Sequence, residues 1–417
     1  MKIAIVGTGI AGMTAARILS RRNDITVFES GSYIGGHTNT IRVNEGAREL
    51  AVDTGFIVFN ETTYPNLCRL FDELGVQSRD SDMSFSVHCD KTGIEYNGTD
   101  FNALFAQRRN LVSPRFWGML AEIVRFNREA PEQLAAGMDD SISVEDYVRS
   151  NGHGERFVDH YLAPLGASLW SCDARRFRRF PMRFVIEFLH NHQMLQVNGR
   201  PQWKTVAGGS NQYVAPLVAP FRDRIRVNTP VTAVRRRATG VELTLVGGQR
   251  ERFDEVVLAC HADQSRKLVI DMDRDEREIL GHFPYQVNEA VLHTDTRLLP
   301  ERRSAWASWN YRIPILDAEH GTVTYNMNML QGIESPRTYC VSLNQTRYID
   351  PSRVIRRIDY EHPLFTPGRD QAQASHGALI RRRGISYCGA YWGFGFHEDG
   401  VRSALAVGEA FDVSLAA

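Results

Sequence analysis

Ile3-Ala4-Ile5-Val6-Gly7-Thr8-Gly9-Ile10-Ala11-Gly12 decides the fold of this chain. An apolar strand-like run leads straight into a GxGxxG turn, and a helical run from Met13 to Arg21 follows. A second apolar run, Ile25-Thr26-Val27-Phe28, ends in Glu29, with Ser30 behind it. Each part has a physical reason. Gly7 permits the tight turn, Gly9 lets backbone approach a pyrophosphate, and Gly12 lets the helix pack on the strand. The helix start at Ile10 and Ala11 then presents amides and the positive end of its dipole to phosphate. Glu29 is placed to accept hydrogen bonds from a ribose. The expectation is a dinucleotide site built on a Rossmann-type α/β domain.

Composition narrows the class. The chain has 417 residues, 43% hydrophobic and 24% charged, ample for a large core and two domains. Net charge is zero, which gives no support to nucleic-acid binding. Arg supplies 45 of the 49 basic residues; this suits phosphate contacts and equally suits a GC-rich coding sequence. Six cysteines (68, 89, 172, 260, 340, 388) show neither CxxC pairing nor metal spacing. They read as reduced thiols, with no metal site. The first strand begins at Lys2, and no apolar run approaches the ~18 residues of a membrane span. The expected location is cytoplasmic, with peripheral attachment at the inner membrane.

Further segments say which dinucleotide: Gly35-Gly36-His37-Thr38, Val52-Asp53-Thr54-Gly55-Phe56-Ile57, Tyr387-Cys388-Gly389-Ala390, and His397-Glu398-Asp399-Gly400-Val401 ahead of a C-terminal helix. On these segments the chain resembles the flavin amine oxidase and carotenoid desaturase superfamily. That resemblance implies FAD. It places the Gly35-Gly36 segment along the pyrophosphate, Val231 near the adenine, and the helix opened by Gly400 at the flavin. It also implies a discontinuous FAD-binding domain (1–80, 200–284, 380–417) intertwined with an α+β substrate domain (81–199, 285–379). The substrate domain carries a mixed or antiparallel sheet and a helical, membrane-facing part over 101–199. No second GxGxxG follows a strand, so no separate nicotinamide domain is expected, and oxygen or a quinone would take the electrons.

Over its whole length the chain resembles one bacterial subgroup of that superfamily. The segments are Asp53–Asn60, Tyr64–Leu67, Met83–Val87, Phe105–Asn110, Arg200–Val206, His261–Gln264, Trp306–Tyr311 and Gly395–Gly400. Members of the subgroup look like flavin desaturases of membrane fatty acyl chains on the route to furan fatty acids, found beside lipid methyltransferases. The implied substrate is the monounsaturated acyl chain of a phospholipid. One departure from the wider superfamily matters. The stretch comparable to the amine oxidases' lysine-bearing strand reads Asn288-Glu289-Ala290-Val291-Leu292-His293, without Lys. An amine oxidase or carotenoid-type oxidoreductase is the alternative enzyme. A flavin-binding partner of a lipid methyltransferase, without turnover, is the alternative of another class.

A desaturation needs a base. His397 and Glu398 directly precede the flavin-facing helix, and burial can tune both. His397 serves chemistry or a structural hydrogen bond; Glu398 serves chemistry or the helix dipole; Asp399 reads as an N-cap. Trp203, Lys204, His190, Tyr391, Trp392 and Phe394 are the expected substrate lining, with core packing the competing reading for each aromatic. Two stretches mix arginine with aromatics, Arg108–Arg128 and Arg175–Phe184. Both suit contact with anionic headgroups, or a solvated helix face over buried rings.

Overall fold

A computed structural model describes residues 1–196, 199–315 and 321–415. A five-stranded parallel sheet forms around the first strand, in the order Ile225–Arg226, Asp24–Phe28, Lys2–Val6, Glu255–Leu258, Ile385–Tyr387. Strands from both ends of the chain and its middle lie side by side, so this layer is assembled only when the whole chain has folded. One face is covered by the helix Ile10–Leu19 and the C-terminal helix His397–Glu409. The other is covered by a three-stranded antiparallel sheet, Val231–Arg236, Val241–Leu245 and Arg250–Phe253. Both faces of the parallel strands are therefore apolar, as a sheet covered on both sides requires.

A seven-stranded mixed sheet forms the second body. Its order is Val354–Pro363, Tyr285–His293, Cys340–Leu343, Val323–Asn326, Trp309–Ile313, Phe85–Cys89, Ile94–Asn97. Every pair in it is antiparallel except Trp309–Ile313 with Phe85–Cys89. Helices from 101 to 191 pack above it, the longest being Pro114–Ala135, whose first turn is capped by the Ser113 hydroxyl (3.3 Å from Phe116 N). The fold is the expected one: a Rossmann-type domain joined to an α+β domain with a mixed sheet.

Local readings shift in two places. Phe253 to Cys260 reads as one strand paired with 241–246, but it divides at Asp254. Only Phe253 belongs to the hairpin, as the last residue of the strand Arg250–Phe253, and Glu255–Leu258 leaves to run parallel to Lys2–Val6. Hydropathy marks an extended run but not its partner. In the stretch 175–184, Phe177, Phe180 and Phe184 are buried while Arg175, Arg176, Arg179 and Arg183 face outward. Its rings pack on Trp170 and Phe365 (Phe184–Phe365 4.4 Å), so this stretch presents a solvated basic face over core aromatics.

Candidate active site

The nucleotide turn has the geometry its glycines require. Gly7 sits at φ +108, and a Cβ there would lie 2.7 Å from Ala259 O. A Cβ on Gly12 would lie 2.0 Å from Gly7 O. Gly9 differs: a Cβ would meet nothing within 4 Å, so its outer side is open. Gly9 is also the N-cap of the helix carrying Ile10, Ala11 and Gly12, and no side chain caps that helix. Its first-turn amides thus face open space, as a pyrophosphate requires. The Glu29 carboxylate accepts from Thr8 N (2.9 Å) and Gly31 N (2.7 Å), and Ser30 Oγ lies 3.4 Å from it. The turn at Asn228–Thr229 donates to the carbonyls of Gly31 and Glu29, which brings Val231 into this end of the site.

The second glycine segment closes on the first. Gly36 packs against Gly9, where a Cβ would come 3.1 Å from the Gly9 Cα, and Thr38 N donates to Gly35 O (3.0 Å). A Cβ on Gly55 would lie 2.2 Å from His37 O, which accepts from Phe56 N (2.8 Å). Thr54 Oγ1 bonds Asn39 O and the Tyr360 hydroxyl (2.8 Å), and Ile57 O accepts from Thr205. Asp53 anchors the segment: its buried carboxylate takes Ser210 N, Ser210 Oγ and Gln331 Nε2 at 2.8–3.0 Å. Burial lifts its pKa to about 6.

The C-terminal helix brings its N-terminus to the same place. A Cβ on Gly400 would strike Ile10 Cγ2 at 2.8 Å, so Gly400 lets two helix N-termini converge. Its own N–H donates to Phe396 O (3.1 Å). The amides this end offers to a ligand are those ahead of Gly400, in the unpaired first turn. Val401 is core, and Gly389 N donates to Ser403 Oγ (2.9 Å). His397 stacks on Phe56 (centroids 3.6 Å apart), with Nε2 3.2 Å from Thr38 Oγ1 and 3.0 Å from the Tyr213 hydroxyl. Burial pushes its pKa down to about 3, so its imidazole is neutral. Glu398 points elsewhere: its carboxylate accepts from Leu67 N (2.9 Å) and from Asn66 N and Nδ2. It thereby caps the helix Pro65–Leu74, whose own N-cap, Tyr64, supplies no side-chain acceptor. Asp399 is not the N-cap expected of it: Phe396 holds that position, and Asp399, three residues on, reaches back to accept from Phe394 N and Phe396 N (3.0 Å each).

The expected substrate lining divides. Phe394 and Trp203 meet in an aromatic cluster with Phe184, Phe188, Phe396, Tyr64 and His192. Tyr391 and Trp392 instead pack with Phe283 and His376 in the core beneath the parallel sheet. Lys204 pairs with Glu61 at the surface, and His190 is exposed at the helix end. His192 takes the inward place, stacked on Phe188 at 3.9 Å. It lies four residues after Phe188, one helical turn on, which is the spacing that marks it in the sequence. Its Nδ1 lies 2.9 Å from Phe188 O; an Nδ1–H donating there leaves the lone pair on Nε2. Burial brings its pKa down to about 4.

A second group absent from the sequence reading surrounds His37. That ring stacks on Tyr360 (4.9 Å) and neighbours His362 (5.4 Å) and His261 (6.2 Å). Burial first, then the neighbouring imidazoles, hold His37 far below its ordinary pKa. Its buried Nε2 has no hydrogen-bond partner among the described residues. Asn288, in the stretch compared with the amine oxidases' lysine-bearing strand, is buried and bonded to His362 (2.9 Å).

Two converging helix N-termini, an open glycine turn, an acid at the end of the second strand and an orphaned polar nitrogen beside them fit a large anionic dinucleotide. These features define a dinucleotide-binding protein. The chain belongs to the family described as flavin containing amine oxidoreductase, whose model matches residues 10–309. It is an oxidoreductase, and FAD is its cofactor. A chloroplastic/chromoplastic zeta-carotene desaturase from Capsicum annuum is 25% identical over 194 residues, 42% of this chain. The match spans about a third (32%) of that relative's length. Two solved structures share the fold. Cyclohexylamine oxidase from Brevibacterium oxydans superposes with a TM-score of 0.70 at 16% identity, covering 99% of each chain. A CLA-producing fatty acid isomerase from P. acnes superposes with 0.65 at 16% identity, covering 96% of each.

Proposed function

We propose that this oxidoreductase desaturates monounsaturated fatty acyl chains of phospholipids, a step toward furan fatty acids, with oxygen or a quinone as final electron acceptor. The observation that carries this reading is the aromatic cluster beside the C-terminal helix. Phe188, Phe394 and Phe396 offer an apolar wall to a hydrocarbon, with Phe184 behind them under the Arg369 guanidinium (3.9 Å from its ring). Glu398 and Asp399, beside Phe396, are turned onto backbone amides and so offer that wall no anion for an ammonium group. A buried amine cation needs such a partner; an alkenyl chain does not. That a fatty acid isomerase shares this fold supports an acyl substrate.

FAD, when bound, supplies the hydride acceptor. The chain's residues orient and dry the site. Phe188 and Phe396, stacked at 5.2 Å, hold an acyl chain flat and exclude water. Hydride loss from an allylic carbon leaves the adjacent C–H strongly acidic, so a weak base suffices. His192 has the geometry: a neutral imidazole with Nδ1 fixed on Phe188 O and Nε2 available. His397, neutral and bonded to Thr38 and Tyr213, orients the helix end against Phe56. Glu398 is a positioning residue through its cap on Asn66 and Leu67.

The test is to incubate flavin-loaded protein with vaccenoyl or oleoyl phospholipid and weigh the acyl chains by mass spectrometry. A product two mass units lighter, scaling with enzyme, is expected, with anaerobic bleaching of the flavin. His192→Ala should cut that product by ~10²-fold or more, the usual scale of a lost general base, with flavin loading unchanged. A flavin that stays oxidised with these lipids yet is bleached by amines would replace this reading with amine oxidation.

A further inference from the structure

The exposed apolar side chains include a concentrated group at the start of the long helix. Phe101 is 64% exposed, Val112 83%, Trp117 47% and Val124 60%, and Leu111 is exposed beside Val112. They are one patch. The Phe101 ring lies 4.7 Å from Phe105, which lies 5.3 Å from Trp117, and the Trp117 indole N–H donates to Leu111 O (2.9 Å). Trp117, Ala121 and Val124 recur at helical spacing on one exposed face, which ends in exposed Arg128.

Arginine predominates around the patch, with Asp100 and Glu122 the acids at its two edges. Residues 101–121 contain Arg108, Arg109 and Arg115 and no acidic residue. All three arginines are exposed. Arg108 donates to Phe105 O and Asn102, and Arg109 to Gly93 O, neutral acceptors that leave each guanidinium its charge. Apolar side chains ringed by arginine fit the boundary of an anionic bilayer, where rings enter the acyl region and guanidinium groups meet phosphate. A neutral protein partner would satisfy the apolar groups but not the three cations. Among the described residues no helix is long and apolar enough to cross a membrane, so such a surface acts from one side.

The patch also connects inward. Phe105 packs on Phe116, and Phe116 on Tyr96, in a core layer bordered by Phe85 and Ile123. Phe85 and Ile123 border the next layer as well, the one that contains Phe184 and Phe188 and is lined by Phe394 and Phe396. Apolar groups are thus continuous from the surface to the wall beside the C-terminal helix. We infer that Phe101, Leu111, Val112 and Trp117, with Arg108, Arg109 and Arg115, form a docking surface for an anionic lipid bilayer. In that role, which rests on the acyl-chain reading above, the surface delivers phospholipid to the apolar end of the site.

The test is flotation of flavin-loaded protein with phosphatidylcholine vesicles and with vesicles containing phosphatidylglycerol. Binding to the anionic vesicles is expected, weakening with added salt. Phe101→Glu/Val112→Glu should lower it by roughly ten-fold or more, and Arg108→Gln and Arg115→Gln by roughly five-fold each. Flavin spectrum and Tm should not change, because these side chains face water. Two results would overturn the inference. One is the absence of binding to anionic vesicles, or undiminished binding by the glutamate variant. The other is a dimer in sedimentation that the glutamate variant splits while vesicle binding persists. Turnover on acyl substrate in detergent micelles separates this surface from the chemistry. Micellar turnover retained by a variant that has lost vesicle binding supports docking. Vesicle binding without desaturation of any acyl substrate upholds the surface and overturns the desaturase reading.

Discussion

At the nucleotide turn, two glycines five ångströms or so of backbone apart do opposite work. Gly12 is glycine because the Gly7 carbonyl occupies the position of a Cβ, at 2.0 Å. Gly9 has open space on that side. Substitution therefore separates folding from cofactor loading. Gly12→Ala should fail to give soluble protein, because backbone and not a flexible side chain must move. Gly9→Val should fold, with a far-UV spectrum like the parent, but emerge without yellow colour, since its side chain fills the space a pyrophosphate needs. A well-loaded Gly9→Val protein would mean that the cofactor does not cross this turn. These roles were legible in the sequence, because the close approach is local and set by the turn itself. The inward histidine was not read correctly. His190 and His192 differ by about 200° around a helix, and only the phase of Phe184 and Phe188 tells which of them faces the core.

Helix ends carry much of the long-range order. The helix Pro65–Leu74 begins with proline after Tyr64, a start that fixes φ but supplies no acceptor for the free amides. Glu398 supplies it from the C-terminal helix, more than three hundred residues away, and so ties together two helices that share one apolar core. Glu398→Ala leaves two amides unpaired in a buried setting. It should cost about 1–3 kcal/mol in urea unfolding, while Glu398→Gln, which keeps one acceptor, should cost less. Both should retain turnover within a few-fold at temperatures where they are folded. A ~10⁴-fold loss in Glu398→Gln, with stability unchanged, would restore Glu398 to the chemistry. Sequence spacing shows a glutamate in a first helical turn, which reads equally well as a dipole partner or a base. Only the tertiary neighbour separates these, just as the split of Phe253–Leu258 between two sheets is decided by strands distant in the chain.

Across the whole molecule, the two bodies meet through buried polar groups that no local pattern reveals: Asp53 with Gln331, Thr54 with Tyr360, His37 with Tyr360 and His362. Two of these are histidines held neutral, and with the other buried histidines they fix how stability responds to acid. Burial lowers His192, His293, His362 and His376 to about 4 and His397 to about 3, and it also holds His37 well below its ordinary value. Below pH 6.5 the unfolded chain takes up protons at these sites and the folded chain does not, so their stabilisation is present above pH 6.5 and is lost as pH falls toward 4. Asp53 and Asp399 act in the opposite sense. Burial raises each to about 6, so the folded state holds their protons between pH 6 and 3.8 while the unfolded state does not. Six histidines outweigh two carboxylates. Near pH 5 the balance is about four protons, or roughly 5 kcal/mol lost per pH unit at ~1.4 kcal/mol per proton. Since a domain's whole margin is about 5–15 kcal/mol, Tm measured at saturating FAD should be nearly level from pH 8 to 7 and fall steeply from 6.5 to 5. His376 allows the cause to be checked away from the chemistry, because it packs on Trp392 and bonds the Tyr387 carbonyl (2.8 Å) in the core beneath the parallel sheet. His376→Gln keeps a donor but cannot titrate, so it should flatten the acid limb by about one proton. An acid limb as steep as the parent's in that variant, or a Tm level down to pH 5 in the parent, would remove the buried histidines as its cause.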